Sequence, residues 1–131
     1  MRITILGEGI FGSTMASCFS KRGHVVVFNE ADSSDVIFVC VTSNMVLPSL
    51  LKLQKEITDQ KIIICSKGFA GDGRLISEAL KKFFKNDIFF LYGPTLADEL
   101  TKGVPSGMVF AGGAGKDALK KEIESDRKSV V

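Results

Sequence analysis

Cysteine is scarce in these 131 residues, and no two cysteines form a CxxC pair. The three present, Cys18, Cys40 and Cys65, are an odd number, so they cannot form a complete disulfide framework. Each stands in an apolar run, which suits buried thiols in a reducing compartment. Long hydrophobic runs are missing too. No stretch reaches the ~20 apolar residues that a membrane helix needs. The opening residues MRITILGEG resemble a strand and a turn, not a signal peptide. The chain therefore reads as cytoplasmic, with no membrane partner. Charge of one sign is also lacking: 17 basic residues face 15 acidic ones, interspersed, for a formal charge of +2. That is too weak a bias to argue for a nucleic-acid partner. Repeats, low-complexity tracts and linkers are absent, so residues 1–131 read as one domain. The only histidine, His24, follows Gly23 in a tight turn and reads as structural, and no metal site is expected.

What the sequence has is alternation. Residues 2–6 form a short apolar run ending at Gly7, the pattern of a buried strand. Residues 10–22 carry Ile10, Phe11, Met15, Cys18 and Phe19 at helical spacing, and Gly23 stops them. Strands are expected at 25–28, 36–41, 61–65, 88–92 and 107–111. Helices are expected at 44–57, with Pro48 tolerable only in its first turn, and at 73–85. The face of the second is Ile76, Ala79, Leu80, Phe83 and Phe84. A short helix after Gly93 and a charged one over 116–125 complete the series. Strand and helix in turn imply an α/β fold: a Rossmann-like, doubly wound, mainly parallel sheet with helices on both faces and the first strand at its centre.

Gly7-Glu8-Gly9-Ile10-Phe11-Gly12 is a GxGxxG set between a strand and a helix, the setting that binds a dinucleotide. Gly7 permits the tight turn, Gly9 lets the backbone approach the pyrophosphate, and Gly12 lets helix pack on strand. The helix N-terminus offers unpaired N–H groups to the phosphates. Glu8 has to point away from them. Glu30 lies 18 residues after Gly12, where a carboxylate can bind the ribose hydroxyls and repel a 2′-phosphate. This favours NAD, with NADP as the alternative.

Three further stretches narrow the field: Ser66-Lys67-Gly68-Phe69 with GRLISE after it, Gly93-Pro94-Thr95-Leu96-Ala97-Asp98-Glu99, and Gly103-Val104-Pro105-Ser106. Together with GEGIFG and VCVTSN, they resemble the N-terminal domain of bacterial-type NAD(P)-dependent glycerol-3-phosphate dehydrogenase over nearly the whole chain. The resemblance implies hydride transfer between sn-glycerol 3-phosphate and dihydroxyacetone phosphate, in glycerophospholipid metabolism. It implies a small phosphorylated substrate, and a homodimer in the full-length form. Lys67 matches the lysine that touches cofactor and substrate, Gly93 and Thr95 match substrate contacts, and Ala97, Ile10 and Phe11 match cofactor contacts. Lys67, Gly93, Thr95, Gly9 and Asn44 all follow strand ends, where open parallel sheets bind ligands. By position, Lys67 could steady a developing alkoxide, and Thr95 could also cap a helix.

Two departures qualify the resemblance. The family places a helix, a long loop and another strand between the second strand and the third strand of this chain. Here about five residues connect Glu30 to Val36. A return over a full strand climbs roughly 17 Å and must also step sideways past the first strand by two spacings of ~4.8 Å, whereas five extended residues reach at most about 18 Å. A regular parallel crossover is therefore not expected: either a segment is omitted or the sheet is altered locally. The family's second, helical domain supplies the general base, and no stretch here matches it, so the polypeptide alone is expected to be inactive. The other readings are a non-catalytic nucleotide-binding module, or a relative of ketopantoate reductase or 6-phosphogluconate dehydrogenase.

Overall fold

A computed structural model describes residues 1–65, 73–92 and 109–112. The alternation reads through directly. The chain runs β1 (Arg2–Leu6), α1 (Ile10–Lys21), β2 (Val25–Phe28), β3 (Val36–Val39), a 3-10 turn (Ser43–Met45), α2 (Val46–Lys52), β4 (Lys61–Cys65), α3 (Gly73–Lys81), β5 (Ile88–Tyr92) and β6 (Val109–Gly112). Among the described residues one sheet holds six strands in the order β2-β1-β3-β4-β5-β6. The first five are parallel, and β6 is antiparallel to β5. β1 is interior but one place from the edge, not central as expected, because only β2 lies beyond it.

Period-two alternation sorts the strand side chains onto two faces. Ile3, Ile5, Phe38, Ile63 and Phe89 pack with Met15 and Phe19 of α1 on one face. Ile37, Val39, Ile62, Ile64 and Phe90 pack with Val46 and Leu50 of α2 and with Leu80 of α3 on the other. Connections that step in opposite directions along the sheet thus lie on opposite faces, which keeps every crossover right-handed. A Schellman turn ends α1: the Gly23 N–H donates to the Ser20 carbonyl and the His24 N–H to the Phe19 carbonyl, with Gly23 at φ 88°.

Several boundaries move. Pro48 does fall in the first turn of α2, but the expected helix over 44–57 is split between a 3-10 turn and α2, which stops at Lys52. α3 stops at Lys81, so Phe83 leaves the apolar face and is 48% exposed, while Leu80 and Phe84 stay buried. The expected helices after Gly93 and over 116–125 lie outside the described residues.

The short link between β2 and β3 is a parallel crossover after all. Register explains it. Phe28 pairs with Ile5 and Val36 with Ile3, so the chain climbs back by only two residues, about 7 Å. Residues 29–35 pass over β1 at Thr4. The buried Thr4 hydroxyl donates to the Glu30 carbonyl and bonds the Ser34 hydroxyl at 2.6 Å. Ala31 is small enough to be fully buried in the link. Its N–H and that of Asp32 donate to the Glu56 carboxylate, at 3.2 and 3.3 Å, and its carbonyl accepts from the Gln60 amide. Asn29 and Ser33 take positive φ, 57° and 62°, to make the two bends. The link is thus a strap bonded at both ends. Thr4→Val keeps the shape and removes the hydroxyl from the strap. We expect a loss of about 1–3 kcal/mol in denaturant unfolding, the cost of taking their partner from a part-buried carbonyl and a buried hydroxyl; an unchanged midpoint would show that the strap does not depend on Thr4.

Candidate functional site: the glycine loop at the carboxyl edge

β1 and β3 are neighbours whose following helices leave on opposite faces of the sheet. Such a switch point opens a crevice beyond the carboxyl ends of the strands. Gly7 enters it at φ 102°, where a side chain is strained in any case. A Cβ at Gly7 would also lie 2.5 Å from the Cys40 carbonyl oxygen. The Gly7 N–H donates to the Asn29 side-chain oxygen at 3.3 Å, which ties the loop to the end of β2. Gly12 sits against β1 so closely that a Cβ would lie 2.1 Å from the Gly7 carbonyl oxygen. Gly9 differs: a Cβ there would meet nothing within 4 Å. The three glycines therefore divide as the motif requires: two for close packing, and one leaving open space over the backbone.

Gly9 is the N-cap of α1, no side chain caps the helix, and no acidic residue stands in its first turn. The first N–H groups of a helix have no partner within it, and they carry its positive dipole end. A diphosphate fits that place by donor geometry and by charge. Beside it Ile10 is 89% exposed, and Phe11 is partly buried against the first core cluster. A bare isoleucine opening a helix at the crevice suits an apolar ligand surface. Glu30 follows β2 at the same edge; it is exposed, and its carbonyl is held by Thr4. These features fit a dinucleotide.

Lys67, Gly93, Thr95 and Ala97 lie outside the described residues. The strands before them, β4 and β5, run parallel to β1 and so end at the same edge of the sheet, at Cys65 and Tyr92. Asn44 sits in the exposed 3-10 turn after β3, its side chain accepting from the Thr42 hydroxyl at 2.8 Å. His24 faces the first residue, its Nδ1 3.1 Å from the Met1 amino group, and stacks edge-on with Phe19.

Two of the thiols are not poised for chemistry. Burial pushes Cys65 well above the ordinary thiol range, and a hydrogen bond with Cys40 adds to this. Burial also raises Cys18, against the pull of Arg22 and Lys21. Cys40 is partly exposed, not buried as its apolar run suggested, since it is the first residue past β3. Among the described residues no cluster of His, Cys, Asp and Glu could hold a metal ion, and no helix is long and apolar enough to cross a membrane.

Sequence reasoning missed Asn29 as a loop anchor. The signal was there: an asparagine after a strand tolerates positive φ and bonds nearby backbone. The part of the Cys40 carbonyl in seating Gly7 leaves no sequence signal, because any residue supplies a carbonyl.

Comparison with known proteins gives a consistent kinship. The family described as NAD-dependent glycerol-3-phosphate dehydrogenase N-terminus matches residues 27–118. Glycerol-3-phosphate dehydrogenase [NAD(P)+] of Synechococcus sp. is 29% identical over 123 residues, covering 86% of this chain and 41% of that protein. The enzyme of the same name from Orientia tsutsugamushi is 29% identical over 164 residues, covering 95% of this chain and 48% of the relative. Since 95% of 131 residues is about 124, roughly 40 of those 164 aligned positions have no counterpart here. The chain spans less than half the length of these relatives. Among solved structures, glycerol-3-phosphate dehydrogenase from Coxiella burnetii superposes with a TM-score of 0.73 at 18% identity, over 94% of this chain and 50% of that one. An F420-dependent NADP reductase from Arthrobacter, at 13% identity, also gives 0.73 over 94% of this chain and 79% of its own. Both show the dinucleotide-binding fold. The family match favours the dehydrogenase over ketopantoate reductase or 6-phosphogluconate dehydrogenase relatives. The chain belongs to the NAD-dependent glycerol-3-phosphate dehydrogenase family, and it matches that family's N-terminal domain.

Proposed function

We propose that residues 1–131 are the cofactor-binding domain of an enzyme that interconverts sn-glycerol 3-phosphate and dihydroxyacetone phosphate. The observation that carries this is the division of labour among Gly7, Gly9 and Gly12 at an uncapped helix N-terminus. The family match adds the reaction. The nicotinamide, when bound, supplies or accepts hydride at its C4 carbon. The chain's own residues bind and orient. Gly7 and Gly12 hold the loop close to β1 and β3. Gly9, with the free N–H groups of α1, receives the pyrophosphate. Ile10 and Phe11 cover the apolar side of the nucleotide, and Ala97 contacts it. Glu30 holds the ribose hydroxyls. Lys67, Gly93 and Thr95 hold the substrate, with the Lys67 ammonium steadying negative charge on the substrate C2 oxygen. The substrate is a small phosphorylated molecule, and the setting is cytoplasmic.

The short strap brings its own support for Glu30. It leaves β2 and turns back over β1, so the carbonyl of Glu30 is fixed by Thr4 while the side chain stays exposed at the ligand edge. NAD(H) is therefore expected to bind more tightly than NADP(H), by about 1–3 kcal/mol, a margin kept modest by solvent and salt. Calorimetric titration of the chain with each nucleotide tests this. Equal or reversed affinities would remove Glu30 from the ribose site. Failure of both nucleotides to bind would remove the cofactor reading altogether.

A further inference from the structure

Binding nucleotide makes no use of the side chains of Cys40 and Cys65. β3 and β4 are parallel neighbours in a register that sets Val39 beside Ile64. One residue on, Cys40 stands beside Cys65 at the carboxyl edge of the sheet. Alternation puts both side chains on the α1 face, where Cys65 is part of the first core cluster and Cys40 packs against it. A hydrogen bond joins the two side chains. Neighbouring strands lie about 4.8 Å apart, within the roughly 4.4–6.8 Å between Cα atoms that a disulfide spans. The two thiols differ in access. Cys65 is buried and holds its proton, whereas Cys40 is partly exposed, its Sγ donating to the Met15 Sδ at 3.6 Å. Cys40 is thus the one of the pair that a small solute reaches.

We propose that Cys40 and Cys65 are a thiol-oxidation site for hydrogen peroxide, closing reversibly to a disulfide that loosens the glycine loop's hold on nucleotide. The bond stands on the register alone; its consequence rests on the cofactor reading above. In the first step the Cys40 thiolate attacks one peroxide oxygen. The S–O bond forms as the O–O bond breaks, and the departing hydroxide leaves as water with the proton of the thiol. In the second step the Cys65 sulfur attacks the Cys40 sulfenic acid. The S–S bond forms, the S–O bond breaks, and the leaving hydroxyl takes the Cys65 proton as a second water. Two thiols are oxidised to a disulfide and the peroxide is reduced to water. A dithiol reductant reverses the closure by exchange. A bridge between strands held by their own ladder carries strain, and strained disulfides are the readily reduced ones. That suits a transient bond in a reducing compartment.

The consequence runs through the backbone of Cys40. Its N–H donates to the Leu6 carbonyl at 2.8 Å, and its carbonyl oxygen is the wall against which Gly7 is seated. Drawing Cys40 towards β4 moves that wall away from the turn that receives the pyrophosphate. The coupling is mutual: bound nucleotide favours the open, reduced pair by the same factor.

Peptide mapping by mass spectrometry, after hydrogen peroxide is added to the reduced chain, tests the bond. Calorimetric titration with NAD before and after tests its consequence. The expected product has lost about 2 Da, with Cys40 linked to Cys65 and Cys18 free. Cys65→Ala should stop at a sulfenic acid on Cys40, trapped by dimedone, and Cys40→Ser should leave Cys65 unreacted. The closed form should bind NAD about tenfold more weakly, and dithiothreitol should restore the affinity. Saturating NAD should then raise the midpoint potential of the pair by about 30 mV, the same tenfold seen from the other side. A wild-type chain whose Cys40 and Cys65 stay free under peroxide would overturn the proposal. So would a bond from either to Cys18 or to another chain, or a closed form with unchanged NAD affinity. A reduced chain that fails to bind NAD would overturn the cofactor reading instead, while the peptide map still decides the bond.

Discussion

Gly12→Ala and Gly9→Ala are expected to fail in opposite ways, although each adds one methyl group to the same loop. At Gly12 the new Cβ would stand 2.1 Å from the Gly7 carbonyl oxygen and 3.3 Å from the Ile5 side chain. The first neighbour is backbone, so no rotamer change relieves it. Either α1 lifts from β1 or the Gly7 turn opens. Overpacking of this kind costs about 1–3 kcal/mol, sometimes more. Alanine returns at most about 1 kcal/mol through its helix propensity. A net loss of about 1–2 kcal/mol or more is expected, lowering the melting temperature by roughly 5–10 °C in a domain of this size. Nucleotide binding should go with it, since the turn that seats the phosphates is the part that moves. At Gly9 the Cβ would enter open space from an extended backbone, φ −68° and ψ −177°, which any residue adopts. Stability should change by less than about 1 kcal/mol, the scale of an uncapped N-cap substitution. Affinity for NAD should fall by about tenfold or more, because the methyl group takes the place of the approaching phosphate. Thermal unfolding by circular dichroism and calorimetric titration separate the two losses. A stable Gly12→Ala chain would mean that helix and strand are less close than described. A Gly9→Ala chain with wild-type affinity would place the pyrophosphate elsewhere.

The parts legible in the sequence are those where one physical cause dominates. The strands β1, β4 and β5 are short apolar runs between breakers, and they appear at Arg2–Leu6, Lys61–Cys65 and Ile88–Tyr92. The glycine loop was legible because only glycine allows a positive φ at Gly7 and a backbone contact at Gly12. What escaped depends on distant partners. The crossover at residues 29–35 was judged too short because its climb was taken as a whole strand, whereas register makes it two residues. A strand's own pattern fixes which residues face each way but does not distinguish registers two residues apart. The direction of β6 escaped likewise: periodicity marks a strand but not which way it runs, and an antiparallel edge strand is common on parallel sheets. Phe83 was placed in the core by extending a helical period past Lys81, where the helix stops. The substrate side, Lys67, Gly93 and Thr95, was legible only through family resemblance; position beyond a strand end says that a residue can meet a ligand, not which one.

The 131-residue polypeptide on its own should show no useful turnover with dihydroxyacetone phosphate and NADH, even where it binds nucleotide well. Oxidation of an alcohol needs a base to take the hydroxyl proton, and the reverse reaction needs the matching acid; a positioned group contributes about 10²–10⁴-fold. Among the described residues the carboxyl edge presents exposed Glu8 and Glu30, and no buried acid or histidine beside the crevice. On the reading proposed above, Lys67 binds and stabilises charge, which lowers the barrier without moving the proton. Closure over the site is also lost in a lone domain, so water would weaken each electrostatic contact. These losses compound, because the base, the grip on the substrate phosphate and the closure act together on one transition state. Loss of NADH absorbance at rates of ~1–10³ s⁻¹, the ordinary range for enzymes, would show that the chain contains its own base. Supplying the helical domain of a family member in trans should restore measurable turnover, and Lys67→Ala in that complex should abolish it with a much smaller loss of NAD affinity. The split matters physically: if Lys67 acts, as proposed, on charge that develops at the substrate oxygen, its removal should lower turnover far more than nucleotide binding. A rescued complex indifferent to Lys67→Ala would mean that the alkoxide is stabilised by another group, even with the fold, the glycine loop and the family all as described.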